Sequence, residues 1–188
     1  MIKYINRGVK LKKNINKISI IGGPGTGKTT LAIKLSNITK IPKYHIDGIH
    51  HLKNWEIRDK QERDSIIIDI IKGKKWIIDG TYKDTLEERV KASDLIIFLD
   101  YSSIMQVAGI MKRNIFNHNK EKEEIPGCKE KADFTFIKYV LKYNKTKRQI
   151  IIDVLKKYGE DKILIFKKRK YLQKWLNEFK KSINNKDI

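Results

Sequence analysis

An α/β fold on a parallel sheet is predicted by three observations. Ile18–Ile21, Trp76–Ile78 and Leu95–Leu99 are continuously rather than alternately apolar, Ser19 being the one polar residue among them, the pattern of strands buried on both faces. Segments with helical apolar spacing separate them, and strand–helix alternation requires parallel strands joined by right-handed crossovers. A glycine-rich loop joins the first strand to the first helix. At 188 residues the chain is most simply one domain, long enough to bury a core.

The elements follow in order. After Ile18–Ile21 and the glycine loop, Leu31, Leu35 and Ile38 recur at i, i+4 and i+7 on one helix face. Lys43–Ile46 is a weaker strand, followed by Asp47 and Gly48. Asp59 suits the N-cap of a helix running through Ile67, Ile70 and Ile71. Trp76–Ile78 and Leu95–Leu99 are the next strands, and a helical pattern runs from Ser102 to about Phe116. The polar stretch Asn117–Lys131, with Pro126-Gly127 and balanced Lys and Glu, reads as a mobile insertion. Asp133 is a candidate cap for renewed helical spacing at Ile137 and Leu141, then at Ile150, Ile151, Val154, Leu155 and Tyr158. Ile163–Phe166 is a further weak strand. The final helix aligns Tyr171, Leu172, Trp175, Leu176 and Phe179, a stripe that reads as core.

The formal charge of +20, from 42 Lys+Arg against 22 Asp+Glu, invites a nucleic-acid or anionic-membrane partner. Its distribution weakens that reading. The first 17 residues hold six basic and no acidic groups, residues 167–188 hold eight basic and two acidic, and of the basic residues 35 are Lys. Abundant Lys, Ile and Asn are also what an A/T-rich genome produces. The single cysteine, Cys128, excludes an internal disulfide, leaves a reducing cytoplasm as the expected compartment and reads as structural. No apolar run approaches the roughly 20 residues that span a bilayer, and Met1–Lys17 lacks an apolar export core. No membrane partner is expected.

Gly22-Gly23-Pro24-Gly25-Thr26-Gly27-Lys28-Thr29 fits G-x-x-x-x-G-K-[ST] between a strand and a helix, the context in which such a loop cradles phosphates. Glycines let successive N–H groups turn inward, the helix N-terminus that continues into Thr30 adds its dipole, and Lys28 brings a point charge to the β/γ oxygens. Thr29 can ligate Mg²⁺ through its hydroxyl. ATP and Mg²⁺ are therefore the expected cofactors. Asp79 ends a strand at the sheet edge where ligands collect, and is the candidate for holding Mg²⁺, with Asp100 its competitor. Asp47 is a candidate for orienting an acceptor hydroxyl, or a plain turn residue before Gly48. His45, His50 and His51 cluster without HExxH or Cys/His spacing, so zinc is not expected.

GGPGTGKTT, YHIDGIHH, WIIDGTYKDTLEERV, LIIFLDYS and IPGCKEKADFTFIKYV occur in the order seen in adenylate-kinase-related P-loop proteins, and the chain resembles the DNA topology modulation (FlaR-type) group over residues 17–176. The resemblance implies a five-stranded parallel sheet flanked by helices, of the nucleoside-monophosphate-kinase and shikimate-kinase kind, with a helical lid at about 113–148. The P-loop domain would span 17–182, with a basic extension at 1–16 and a tail at 183–188. It also implies that Asp79 organises Mg²⁺, that Lys83 stands where the family has an acceptor-phosphate arginine, and that Arg113 closes from the lid as the transition state forms. A lysine offers a point charge in place of the arginine fork, which weakens the case for a monophosphate acceptor. Arg148 would return from the next helix, and Lys167 lies in the loop that holds adenine in related kinases. Trp55, Arg58 and Arg89 are acceptor-pocket candidates, with a helix-surface ion pair the competing reading of Arg89. The expected function is ATP/Mg²⁺-dependent phosphoryl transfer to a small-molecule acceptor. The alternative is a nucleotide-binding regulator that contacts DNA through its Lys-rich ends.

Overall fold

The computed structural model describes residues 14–117, 121–122, 125–129, 134–158 and 161–184. Five parallel strands form the sheet: β1 (Lys17–Gly22), β2 (Lys43–His45), β3 (Trp76–Asp79), β4 (Leu95–Leu99) and β7 (Ile163–Phe166), in the order β2-β3-β1-β4-β7. The expected strands are all present. β2 stops one residue early because Ile46, fully buried, opens the short helix α2 (Ile46–His50), and Asp47 lies in that helix's first turn. β1 sits at the centre of the sheet, so the loop that leaves its C-terminal end is flanked by the ends of β3 and β4.

Continuous apolarity in the strands reflects a core on each face. Ile18, Ile20, Leu95, Ile97 and Leu99 meet α1 (Lys28–Thr39) and α8 (Arg169–Asn184). Ile21, Ile96, Phe98 and Ile163 meet α4 (Leu86–Ala92), α6 (Phe134–Thr146) and α7 (Arg148–Tyr158). Trp76 and Ile78 pack on α3 (Lys60–Lys72). Asp59 caps α3 as expected, its Oδ1 accepting from the N–H groups of Gln61 and Glu62 at 2.8 and 3.0 Å. In α8, Leu176 and Phe179 are buried and Leu172 and Trp175 pack against the core, while Tyr171 is exposed.

Between α5 (Ser103–Asn117) and α6, the stretch expected to be a mobile insertion holds an antiparallel pair, β5 (Glu121–Lys122) and β6 (Ile125–Lys129). Ile125 and Cys128 are buried. Cys128 Sγ accepts from Trp55 N at 3.1 Å and donates to the Leu52 carbonyl at 3.5 Å, which pins the pair to the turn at Lys53–Trp55. Asp133, residues 1–13 of the basic extension and residues 185–188 of the tail lie outside the described residues. Ile15 packs on the core, and Asn16 N and Lys17 N donate to Asp94 Oδ2 at 3.0 Å each, so the body takes hold just ahead of β1. Among the described residues no helix is long and apolar enough to cross a membrane.

One polar contact lies inside the second core. Ser93 Oγ donates to the Arg89 carbonyl at 2.6 Å and pairs with Ser19 Oγ at 2.8 Å, both serines being buried. Removing one partner strands the other, so Ser93→Ala is expected to cost about 1–2 kcal/mol. The Ser19→Ala/Ser93→Ala double variant should recover part of that loss in chemical denaturation, because it leaves no orphaned hydroxyl.

Candidate functional site

The loop from Gly22 to Lys28 leaves the central strand and enters α1. Gly25 and Gly27 take positive φ, +69° and +89°, which lets the chain reverse tightly without a Cβ penalty. Packing adds a second requirement. A Cβ on Gly23 would stand 2.2 Å from Gln106 Oε1, one on Gly25 would stand 2.3 Å from the Gln106 carbonyl, and one on Gly109 would stand 2.0 Å from the Gly25 carbonyl. The loop is therefore pressed against α5 along a seam of glycines. Thr26 Oγ1 donates to the Gly23 carbonyl at 2.8 Å, and Lys28 Nζ donates to the same oxygen at 2.9 Å. Thr81, just beyond β3, clamps the loop's base: its Oγ1 donates to the Gly22 carbonyl at 2.7 Å and accepts from Gly22 N at 3.1 Å.

Beneath the loop, Thr29 Oγ1 donates to Asp79 Oδ2 at 3.0 Å, and His45 Nδ1 pairs with Asp79 Oδ1 at 2.6 Å. Asp79 is 4% exposed, so both its oxygens have fixed directions. A hydroxyl and a carboxylate oxygen side by side are hard donors of the kind Mg²⁺ takes from a protein while phosphates and waters supply the rest, and this pair fits that ion.

One cleft of about 1470 Å³ opens over the loop, larger than the roughly 300–1,000 Å³ of a pocket for a single ligand. Of the expected residues, Gly22, Pro24, Gly25, Thr26, Gly27, Lys28, Thr29, Thr30, Asp47, Trp55 and Arg113 line it. Gly23 is turned into the seam. Burial, together with the neighbouring charges of His51 and Arg63, holds the His50 ring below its ordinary pKa, so it is neutral at pH 7. The His50 ring pairs with the Tyr82 hydroxyl at 2.8 Å. Burial pushes the Tyr143 phenol up to about 12, and the charge of Asp47 adds to the effect.

Other expected residues are held elsewhere. Arg89 is fully buried, not on a helix surface: its Nη1, Nη2 and Nε donate to the carbonyls of Gly80, Tyr82 and Thr85 at 2.9, 2.8 and 3.2 Å. Burial lowers its pKa to about 10, which leaves it charged at neutral pH. Arg58 donates to the Ile49 carbonyl at 2.8 Å and to Glu62. Arg148 forms a bidentate pair with Asp100, at 2.6 and 2.7 Å, which occupies both the expected lid arginine and the expected competitor for the metal. Lys83 and Lys167 are exposed and do not line the cleft.

Sequence reasoning missed Arg169, which begins α8, lines the cleft and donates to the Gly25 carbonyl at 3.2 Å. It also missed Gln106 and Gly109. Their signal was available: Gln106, Gly109, Ile110 and Arg113 fall at i, i+3, i+4 and i+7, one face of α5, with a glycine inside a helical pattern.

No protein family and no curated protein matches the chain in sequence. Among solved structures, a candidate kinase from Chloroflexus aurantiacus is similar at 18% identity and a TM-score of 0.42, over 68% of this chain and 78% of that one. A shikimate kinase from Acinetobacter baumannii, solved with shikimate, is similar at 14% identity and a TM-score of 0.58, over 96% of this chain and 99% of that one. The chain has the fold of that enzyme.

Proposed function

We propose that the protein transfers the γ-phosphoryl group of ATP to the hydroxyl of a small-molecule acceptor. The observation that carries this reading is a cleft lined by Lys28, Thr29 and Asp47 together, with Asp79 bonded to the Thr29 hydroxyl. The resemblance to adenylate-kinase-related P-loop proteins agrees with it, and the shikimate-kinase fold accommodates such chemistry.

Lys28 would exchange its bond to the Gly23 carbonyl for the phosphate oxygens, and Arg169, Leu172 and Gln173 would border the nucleoside in place of Lys167. Thr29 and Asp79 would hold Mg²⁺, which when bound neutralises charge on the β- and γ-phosphates. His45 fixes one oxygen of Asp79 so that the other stays on the Thr29 side. Arg113 would meet the transferring group from α5. Segment 113–148 would form the cover, since Phe136, Tyr139 and Tyr143 of α6 already belong to the cleft wall. In the reaction the acceptor oxygen bonds to the γ-phosphorus. The bond from that phosphorus to the bridging oxygen breaks, its electron pair staying with ADP, and the hydroxyl proton passes to Asp47 and then to water. Positioning and electrostatics are enough for such a transfer.

Lys28→Ala is the direct test. ATP binding measured by calorimetry should weaken roughly 10- to 100-fold, the scale of lost hydrogen bonds to a charged partner, with the melting temperature little changed. Undiminished ATP affinity and turnover in that variant would contradict the reading.

A further inference from the structure

The cleft is chemically divided. Among the described residues its basic lining consists of Lys28, Lys34, Lys112, Arg113 and Arg169. All belong to α1, α5 and α8, and each of these helices adjoins the glycine loop: α1 grows from it, α5 sets Gly109 against it, and α8 reaches Gly25 through Arg169.

The remaining wall has a different character. It includes Asp47, Trp55, Tyr82, Phe136, Tyr139 and Tyr143. The rings stand in reach of one another, Phe136 to Tyr139 at 6.2 Å and Tyr139 to Tyr143 at 6.1 Å between centroids. The Asp47 carboxylate lies close enough to raise the pKa of Tyr82, Tyr139 and Tyr143, in each case as an addition to burial. The arginines nearest this wall are engaged. Arg63 bonds Asp64 at 2.7 Å and Asp84 at 3.2 Å while lying over the Tyr82 ring at 4.1 Å. Arg58 is held by Ile49 and Glu62, and Arg89 by three carbonyls.

A phosphate or carboxylate brought to this wall would give up its water and meet a carboxylate and the negative faces of aromatic rings; among the described residues that wall is lined by no lysine or arginine, and its histidine His50 is held neutral. A neutral aromatic ring or an alkylammonium group meets favourable surface on the same rings. We infer that the phosphoryl acceptor is an alcohol without phosphate or carboxylate that lays an aromatic or alkylammonium face on Tyr82, Tyr139 and Tyr143, with its hydroxyl at Asp47. This inference rests on the phosphoryl-transfer reading.

The test uses the full chain with ATP and Mg²⁺ and paired acceptors: adenosine, cytidine and uridine beside their 5′-monophosphates, and choline and ethanolamine beside the hydroxy acids shikimate and glycerate. ADP release above the acceptor-free rate is expected with a nucleoside or an amino alcohol and not with its anionic counterparts; the two arms separate an aromatic from a cationic face. For the acceptor that responds, Tyr139→Leu should raise KM about tenfold with kcat largely held, as loss of a ring contact does. A preference for monophosphates or hydroxy acids overturns the inference, as does a panel in which no uncharged or cationic alcohol stimulates release. Calorimetry with ATP alone is run in parallel. Retained ATP binding with an anionic preference sinks the acceptor class alone, whereas absent ATP binding sinks the phosphoryl-transfer reading.

Discussion

Gly109→Ala is expected to weaken ATP binding roughly 10- to 100-fold, the scale of displaced hydrogen bonds to a charged partner, although Gly109 lies in the middle of α5 and is remote from the loop in sequence. Two effects oppose each other. Helix propensity alone favours alanine over glycine by about 1 kcal/mol. The new Cβ, however, would sit 2.0 Å from the Gly25 carbonyl oxygen and 2.5 Å from Arg169 Nη2. The arginine tip can swing away, but the carbonyl is backbone, so either α5 retreats or the glycine loop moves. Overpacking of this kind costs about 1–3 kcal/mol, enough to cancel the propensity gain and shift the N–H groups meant for phosphate. The readouts are the calorimetric Kd for ATP and the circular dichroism spectrum. Native-like secondary structure with weakened binding is the expected pair of results, and an unchanged Kd would show that the seam does not set the loop's shape.

The seam marks the limit of sequence reasoning about the loop. Gly22-Gly23-Pro24-Gly25-Thr26-Gly27-Lys28-Thr29 identifies itself locally because spacing and flanking elements are contiguous in the chain. Why Gly23 and Gly25 must be glycine is only partly local: their missing side chains make room for Gln106 and Ile110, some eighty residues away. The strands were legible for a related reason. A strand buried on both faces is apolar in a continuous run, and the interiors of β1, β3 and β4, interrupted only by Ser19, read that way without help from their neighbours. β6 was not legible. Its sequence, Ile-Pro-Gly-Cys-Lys, carries the residues of a turn, and the strand is set by Cys128 and Ile125 being buried beside the Lys53–Trp55 turn.

Among the acceptor-side residues, charge misled in one direction. A basic residue in a polar-looking segment reads as surface or as ligand contact, and neither reading anticipates that Arg58 is held by the Ile49 carbonyl and Glu62 or that Arg89 is buried on three carbonyls. Asp47 and Trp55, by contrast, do reach the cleft. The aromatic wall from α6 went unread because the apolar spacing follows Ile137 and Leu141, whereas Phe136, Tyr139 and Tyr143 lie on a different face of the same helix.

Arg89→Leu is expected to cost about 3–5 kcal/mol of stability, the sum of about 1–3 kcal/mol for each buried carbonyl that loses its donor. Leu86, Arg89 and Val90 fall at i, i+3 and i+4 on α4 and all three are buried, so an arginine occupies a core position of that helix. It stays there because its planar fork donates to the carbonyls of Gly80, Tyr82 and Thr85, which closes the β3–α4 connection around one cation. Leucine fills similar space but satisfies none of the three. Carbonyls left buried without a donor each cost about 1–3 kcal/mol, less where water can enter. For a domain of this length each kcal/mol lowers the melting temperature by about 2–4 °C, so a fall of roughly 10 °C is expected. Chemical denaturation should show the midpoint shift at an unchanged slope. The consequence extends past stability, since the same connection carries Thr81, whose hydroxyl clamps Gly22. ATP affinity should therefore fall in Arg89→Leu even well below its melting temperature. Arg89→Lys should recover only part of both losses, because an ammonium keeps the charge and the donors but cannot span three carbonyls in one plane. A leucine variant as stable as the parent would show that these carbonyls find other donors and that the buried guanidinium does not organise the connection.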